Sequence, residues 1–245
     1  MSSLLPTGQV PYGVLFQAGM GADPEIGGTL IVGSASSQAT FSTTTPHGRT
    51  IGSAVSDGEE IRFVTSVLDP QQMTVNVPFS RPLATGAQLL PTITYKLATD
   101  LPSLSVYEYW DPITAVSRIV TGAAVDVIEL SVNGDRHEFT FNGPAADLID
   151  STIIIPGNAG LGSFPTEPAI QLSNFGSVPG HLGQAWLGGT AGQFFTVTDA
   201  TIRLKNNIEQ RNQEFGSAYP QSAVPGARQV NTNFALFAQD DSQTR

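Results

Sequence analysis

The chain has no cysteine among its 245 residues. That excludes disulfides, thiolate metal sites and any Cys–His nucleophile, and with them a small disulfide-stapled scaffold. Lysine is almost missing too, with only Lys96 and Lys205 present. Lys and Arg together number 11 against 21 Asp and Glu, a net charge of −10. Without a basic stripe there is no sequence-independent grip on a phosphate backbone. An acidic balance instead favours solubility and repels nucleic acid. No window holds the ~20 apolar residues of a membrane-crossing helix. The opening stretch, MSSLLPTGQVPYG, lacks the basic and apolar parts of a signal peptide. The expectation is a protein made in the cytoplasm that leaves it only within an assembly, with no membrane partner.

Charge is scarce at 13%, while Gly (25) and Pro (17) are plentiful and 40% of residues are hydrophobic. Few charges and many turn-formers suit short strands joined by tight turns, so an all-β fold is expected. Residues 1–27 read as an N-terminal arm, in which 14–18 make one or two helical turns ended by Gly19. Residues 28–100 read as a β-rich part, either an added module or the early strands of one domain. Residues 101–245 read as the main β domain.

Several runs alternate apolar and polar residues, the period of a half-buried strand. Glu60 to Val67 is one and Met73 to Val77 another. The two form a hairpin with a four-to-five-residue turn around Leu68-Asp69-Pro70-Gln71. Further strands are expected at 28–32, 39–45, 92–97, 104–109, 116–120, 195–204 and 230–237. The clearest pair is 125–132 against 136–141, because Asn133-Gly134 between alternating runs is the strongest short-range hairpin signal. Residues 143–150, with Pro144 near the start, read as one short helix.

From 156 to 190 the chain is a long Gly/Pro-rich passage. A loop of that length is functional or disordered, and its embedded aromatics argue against disorder. Phe164, Phe175, Trp186 and His181 are therefore the candidate interface residues. The passage is expected to reach a neighbouring subunit.

The residues that carry chemistry do not assemble into a motif. His47, His137 and His181 have no metal-ligand spacing. His137, between Arg136 and Glu138, reads as a strand-face histidine paired with a carboxylate. There is no Gly-x-Ser-x-Gly elbow, and the acidic pairs (Glu59-Glu60, Asp147 with Asp150) are no more than an acidic β protein carries. No enzyme, cofactor or metal is expected.

Three stretches, taken in order, resemble the tail tube (major tail) proteins of tailed phages. The first runs from Pro102 through Tyr107, Tyr109 and Trp110 to Arg118 and Gly122. The second is the Asn133-Gly134-Asp135 hairpin leading to Phe139, Phe141 and Gly143. The third is Ala200 to Leu204 entering Asn206-Asn207, then Glu214-Phe215-Gly216 and the turn Val224-Pro225-Gly226-Ala227-Arg228 into a last strand. The resemblance covers somewhat over half the chain. It implies a tail-tube-like β-sandwich or barrel whose subunits form rings, commonly hexameric. The rings stack into a tube of the virion tail. It also implies as partners the chain itself, other phage tail proteins, and DNA as transported cargo. An acidic lumen would let that DNA slide. Two other readings stay open. One is another tail component on the same fold, a distal tail or tube-terminator protein. The other is a sugar-binding β-sandwich adhesin, for which Tyr107, Tyr109 and Trp110 would be the aromatic platform.

Overall fold

A computed structural model describes residues 12–58, 60–110, 116–157, 160–169, 185–187, 192–194, 197–212, 214–217 and 219–237. It is nearly all β, as the composition implied. Its contacts separate two units. The first is built on Ala22–Leu97 and also holds Trp186. The second holds Pro11–Gly21 and the chain from Ala98, apart from Trp186–Gln193.

In the first unit the strands are β1 (Glu25–Gly27), β2 (Leu30–Ala35), β3 (Thr40–Thr43), β4 (Ala54–Asp57), β5 (Glu60–Asp69), β6 (Gln72–Val75), β7 (Gln88–Leu89) and β8 (Thr92–Thr94). Six of them make one antiparallel sheet in the order β4-β5-β6-β3-β2-β7, and β1 pairs with β8. The sheet curls until its ends meet. Leu90 N–H donates to Ser56 O at 2.9 Å, and Thr92 Oγ1 donates to Ala54 O at 2.8 Å. The result is a small, nearly closed barrel, which leaves few free edges. Inward-pointing Val32, Phe41, Val64, Met73 and Phe79 are almost completely buried and form its core with Leu30, Val55 and Leu89.

The β5–β6 turn, expected to take four to five residues, is shorter. It is only Pro70 and Gln71, because Asp69 Oδ1 accepts the N–H groups of Gln71 and Gln72 at 2.7 and 2.8 Å. Along β5 the expected alternation is present, and its apolar residues Ile61 and Phe63 face outward. Arg62 is 5% exposed, while Ile61 and Phe63 are 56% and 47% exposed. The Arg62 guanidinium lies 5.3 Å from the Phe79 ring centre and 5.7 Å from that of Trp186. It donates to Pro78 O and to Glu60. A buried cation with this many partners is stable inside, and a period alone cannot show it.

In the second unit, α1 (Gly13–Met20) precedes β9 (Leu104–Glu108), β10 (Arg118–Ala123), β11 (Val127–Asn133), β12 (His137–Asn142) and β13 (Asp147–Asp150). Later come β16 (Val197–Lys205), β17 (Glu209–Gln210), β18 (Ala223–Val224) and β19 (Gln229–Leu236), while the intervening ribbon of β14 (Ala185–Leu187) and β15 (Gly192–Phe194) falls mostly in the segment assigned to the first unit. The sheets run β13-β10-β9, β12-β11-β16-β19 and β17-β18. The helix expected at 143–150 is replaced by β13. Ile149 there pairs with Ile119 of β10, and both are buried. A four-residue strand carries too little period to compete with Pro and Ala as helix cues. Among the described residues α1 is the sole α-helix. It packs Ala18, Leu15 and Phe16 on Val125, Ile128, Phe141 and Leu204. The approach is close enough that a Cβ on Gly19 would lie 2.6 Å from Ile128 Cδ1. No described helix is long and apolar enough to cross a membrane.

The first unit contains one carboxylate whose titration bears on stability. Burial by itself would raise Glu25, but hydrogen bonds from Lys96, Ser53 and Thr50 and the Lys96 charge outweigh it and hold Glu25 below the ordinary carboxylate value. Lys96 Nζ is 2.6 Å from Glu25 Oε2. A folded-state value below the unfolded one stabilises at pH above the ordinary carboxylate range, and the gain is lost as pH falls through the folded value. Urea denaturation across pH 2–7 should therefore show wild type more stable than Glu25→Gln near neutrality, the two converging in acid. A constant gap would contradict this.

Candidate interaction surface

The hairpin β11–β12 starts the surface. Asn133 Oδ1 accepts the N–H groups of Asp135 and Arg136 at 2.9 and 3.1 Å, fixing the turn. The register then runs Val132↔His137, Leu130↔Phe139, Ile128↔Phe141. On its other edge β11 meets β16 as Val132↔Ala200, Leu130↔Ile202, Ile128↔Leu204. β16 meets β19 as Ala200↔Phe234, Ile202↔Thr232, Leu204↔Val230. Alternate residues share a face, so one face of this four-stranded sheet is apolar from edge to edge. The other face, through Glu129, Ser131, Thr140, Thr201, Arg203 and Asn233, is polar.

The corner between β16 and β19 holds the sheet together. Asn206 is fully buried. Its Nδ2 donates to Gly19 O at 2.9 Å and Val125 O at 3.0 Å, and its Oδ1 accepts from Arg228 Nε at 2.8 Å. Arg228 reaches on to Ala98 O. Asn207 takes a left-handed conformation with φ 51°. Gly226 N–H donates to Asn206 O and Asn207 O, each at 3.0 Å. A side chain at Gly226 would meet Asn207 O at 2.8 Å. The Asn-Asn pair and the Pro-Gly-x-Arg turn are thus two halves of one lock that joins α1, β11, β16 and β19.

The apolar face is only partly covered. Among the described residues, α1 and Leu104 cover the Ile128–Phe141–Leu204 end. Beyond it Phe139 and Ile202 are each 40% exposed, Phe234 45% and Val230 61%. Tyr12, Leu15, Phe139 and Phe141, with Arg136, His137 and Glu138 at the rim, line an open cleft of about 570 Å3 beside α1. Phe16 stands edge-on to Phe139 and Phe141, each at 5.1 Å.

Among the described residues β12 and β19 are the two edges of the sheet. All eight residues of β19 are exposed, and none is charged or proline. Edge strands are ordinarily blunted by lysine, proline, bulges or cover. β19 has one bulge opposite it, at Thr198, near its far end.

Of the four sequence-predicted interface residues, Phe164 and Trp186 are described, and they belong to different units. Phe164 is half-buried and stands edge-on to Tyr109 at 5.7 Å. Trp186 is half-buried over Arg62. Its indole N–H is buried with no hydrogen-bond partner among the described residues. Phe175 and His181 lie outside the described residues. Tyr107 and Trp110 are exposed. Tyr109, turned onto Phe164, is raised above the ordinary tyrosine value by burial first, then by Tyr107 and Glu167. His137 sits at the cleft rim beside the Arg136–Glu138 pair, whose ends are 3.8 Å apart. His47 is buried in the barrel unit, where its Nδ1 accepts Arg49 N–H at 2.9 Å. Among the described residues no three His, Asp or Glu side chains gather as a metal site would need. The amphipathic sheet itself escaped the sequence reading. Its signal was available as the run 229–236, alternating, uncharged and free of proline.

Replacing Asn206 by Ala should cost about 2–4 kcal/mol, because it strands buried backbone acceptors and the Arg228 guanidinium. Urea denaturation followed by a probe in the second unit measures it. A loss below about 0.5 kcal/mol, the size of an ordinary surface change, would show that the corner is not a lock.

A scan against protein-family models finds no match for the chain, and a search of curated proteins finds no relative.

Proposed function

We propose that this chain is a structural subunit of a self-assembling ring, stacking into the tail tube of a phage virion. The observation that carries the reading is β19, an eight-residue, uncharged, exposed edge strand beside an apolar face that the described residues cover only in part. A sheet built like this is poorly suited to remain alone in water. A second copy laid along the edge satisfies its open backbone groups and covers Phe234 and Val230. Phe139, Ile202, Val230, Phe234 and Leu236 are each roughly half exposed. Burying the rest of each is worth about 1 kcal/mol, on the order of 5 kcal/mol per joint. That is comparable to the whole stability of a small domain, and a ring repeats it at every joint.

The sheet has two different edges, β12 and β19. A contact between unlike edges is head-to-tail, and head-to-tail contacts close into rings or run on as filaments. The outward stripe of β5, with Ile61, Phe63 and Val67 exposed, gives each subunit a second apolar surface, here on the barrel unit. The ordered motifs in the second half of the chain supply the tail-tube part of the reading. The locked corner at Asn206 and Arg228 gives that motif order a physical role.

Negative-stain microscopy of the purified chain tests this. Wild type should form rings or tubes, and the pair Ile202→Asp with Phe234→Asp should remain monomeric with an unchanged far-UV circular dichroism spectrum. Monomers of wild type at every concentration, or assembly by the double variant, would overturn the proposal.

A further inference from the structure

The polar face of the same four-stranded sheet has a composition the whole chain does not share. Ser131, Thr140, Thr201, Asn231 and Asn233 fall on it by register, a surface of hydroxyls and amides. Its charges balance. Glu129, Glu138 and Asp199 stand against Arg136, Arg203 and Lys205, three of each by strand parity. Two of the three pairs are also matched locally, whereas Asp199 and Lys205 lie at opposite ends of β16. Arg203 and Glu129 are register partners 3.8 Å apart, and Arg136 lies 3.8 Å from Glu138. The chain as a whole carries −10, so its acidic excess lies off this face. The packing on the two faces also differs. α1 and Leu104 sit on the apolar side, whereas on the polar side Val127 is buried at one end and Thr140, Glu138, Arg203, Asn231 and Asn233 stay exposed.

We infer that this face is the wall of the channel, and that it passes nucleic acid by presenting a charge-balanced, hydroxyl- and amide-rich surface rather than an acidic one. The inference rests on the ring reading above. In a closed ring the bulk of each subunit belongs at large radius and its leaner face at small radius. Within the second unit the helix and its core lie on the apolar side of the sheet, so the polar face is the leaner one and is the one placed inward. A phosphate backbone binds where lysine and arginine can shed counterions onto it. Here Arg203 and Arg136 each have a carboxylate 3.8 Å away that offsets their charge, and Lys205 stands at one end of the face. Hydroxyls and amides give every passing phosphate the same weak, water-like contact. The acidity expected of a channel from the overall charge is not found on this face.

The absence of cysteine gives a direct test, since an introduced thiol is unique. Thr201→Cys and Asn233→Cys variants are each assembled and treated with a small maleimide and with a maleimide carrying a long polyethylene glycol chain. Dissociated subunits should react with both reagents. Assembled tubes should react with the small one and at least tenfold more slowly with the large one. Equal reaction of tubes with the large reagent would place the face outside and overturn the inference, while the tubes themselves leave the ring reading standing. Absence of rings would remove the ring reading and this inference with it. The charge balance has its own arm. Tubes of the Glu129→Gln, Glu138→Gln variant should bind a fluorescent single-stranded oligonucleotide at least tenfold more tightly than wild-type tubes at low salt. Equal binding would overturn the charge-balance part.

Discussion

A β-sheet with one apolar face has to bury that face, and this chain does not supply enough of its own described residues to do so. The β12-β11-β16-β19 sheet is apolar from Phe139 to Phe234 on one side and hydroxylic and amidic on the other. Helix α1 is eight residues long and covers one end. Everything distinctive about the second unit follows from that shortfall. The register must be held firmly, since a slip of one residue would exchange the two faces. The Asn133 turn and the Asn206–Arg228 corner hold it from opposite ends.

The two units solve the same problem differently. The first closes its sheet on itself, so that Phe41, Met73 and Phe79 are sealed inside and the Ser56–Leu90 contact removes an edge. The second leaves its main sheet open at β12 and β19. A closed barrel is complete alone, whereas the open sheet keeps two edges and an apolar face only partly covered by the described residues. This contrast is the basis of the proposal that the second unit makes the joint.

Much of this was legible in the residues, though unevenly. The 127–142 hairpin was readable because Asn-Gly fixes a turn and the flanking alternation fixes both strands. The β5 strand was readable, but not which side faced in. The cue that decides it, Arg62 between Phe79 and Trp186, joins residues far apart in sequence. β13 was misread as a helix because a four-residue strand carries almost no period, while Pro144 and its alanines resemble a helix start. Asn206-Asn207 and Pro225-Gly226-Ala227-Arg228 were visible as motifs. Their meeting was not, because it is a tertiary contact closed by one buried side chain. The apolar face was spread over four strands, none conspicuous alone.

The central claim is that the open sheet is completed by another copy of the chain. Amide hydrogen exchange across 229–236, followed from dilute to concentrated protein, tests it most directly. Completion of the edge predicts that β19 amides become at least tenfold slower to exchange as assembly proceeds, while the amides of β5 and β6 in the barrel core stay constant. An exchange rate in β19 that is independent of concentration, up to and including any assembled state, would contradict it.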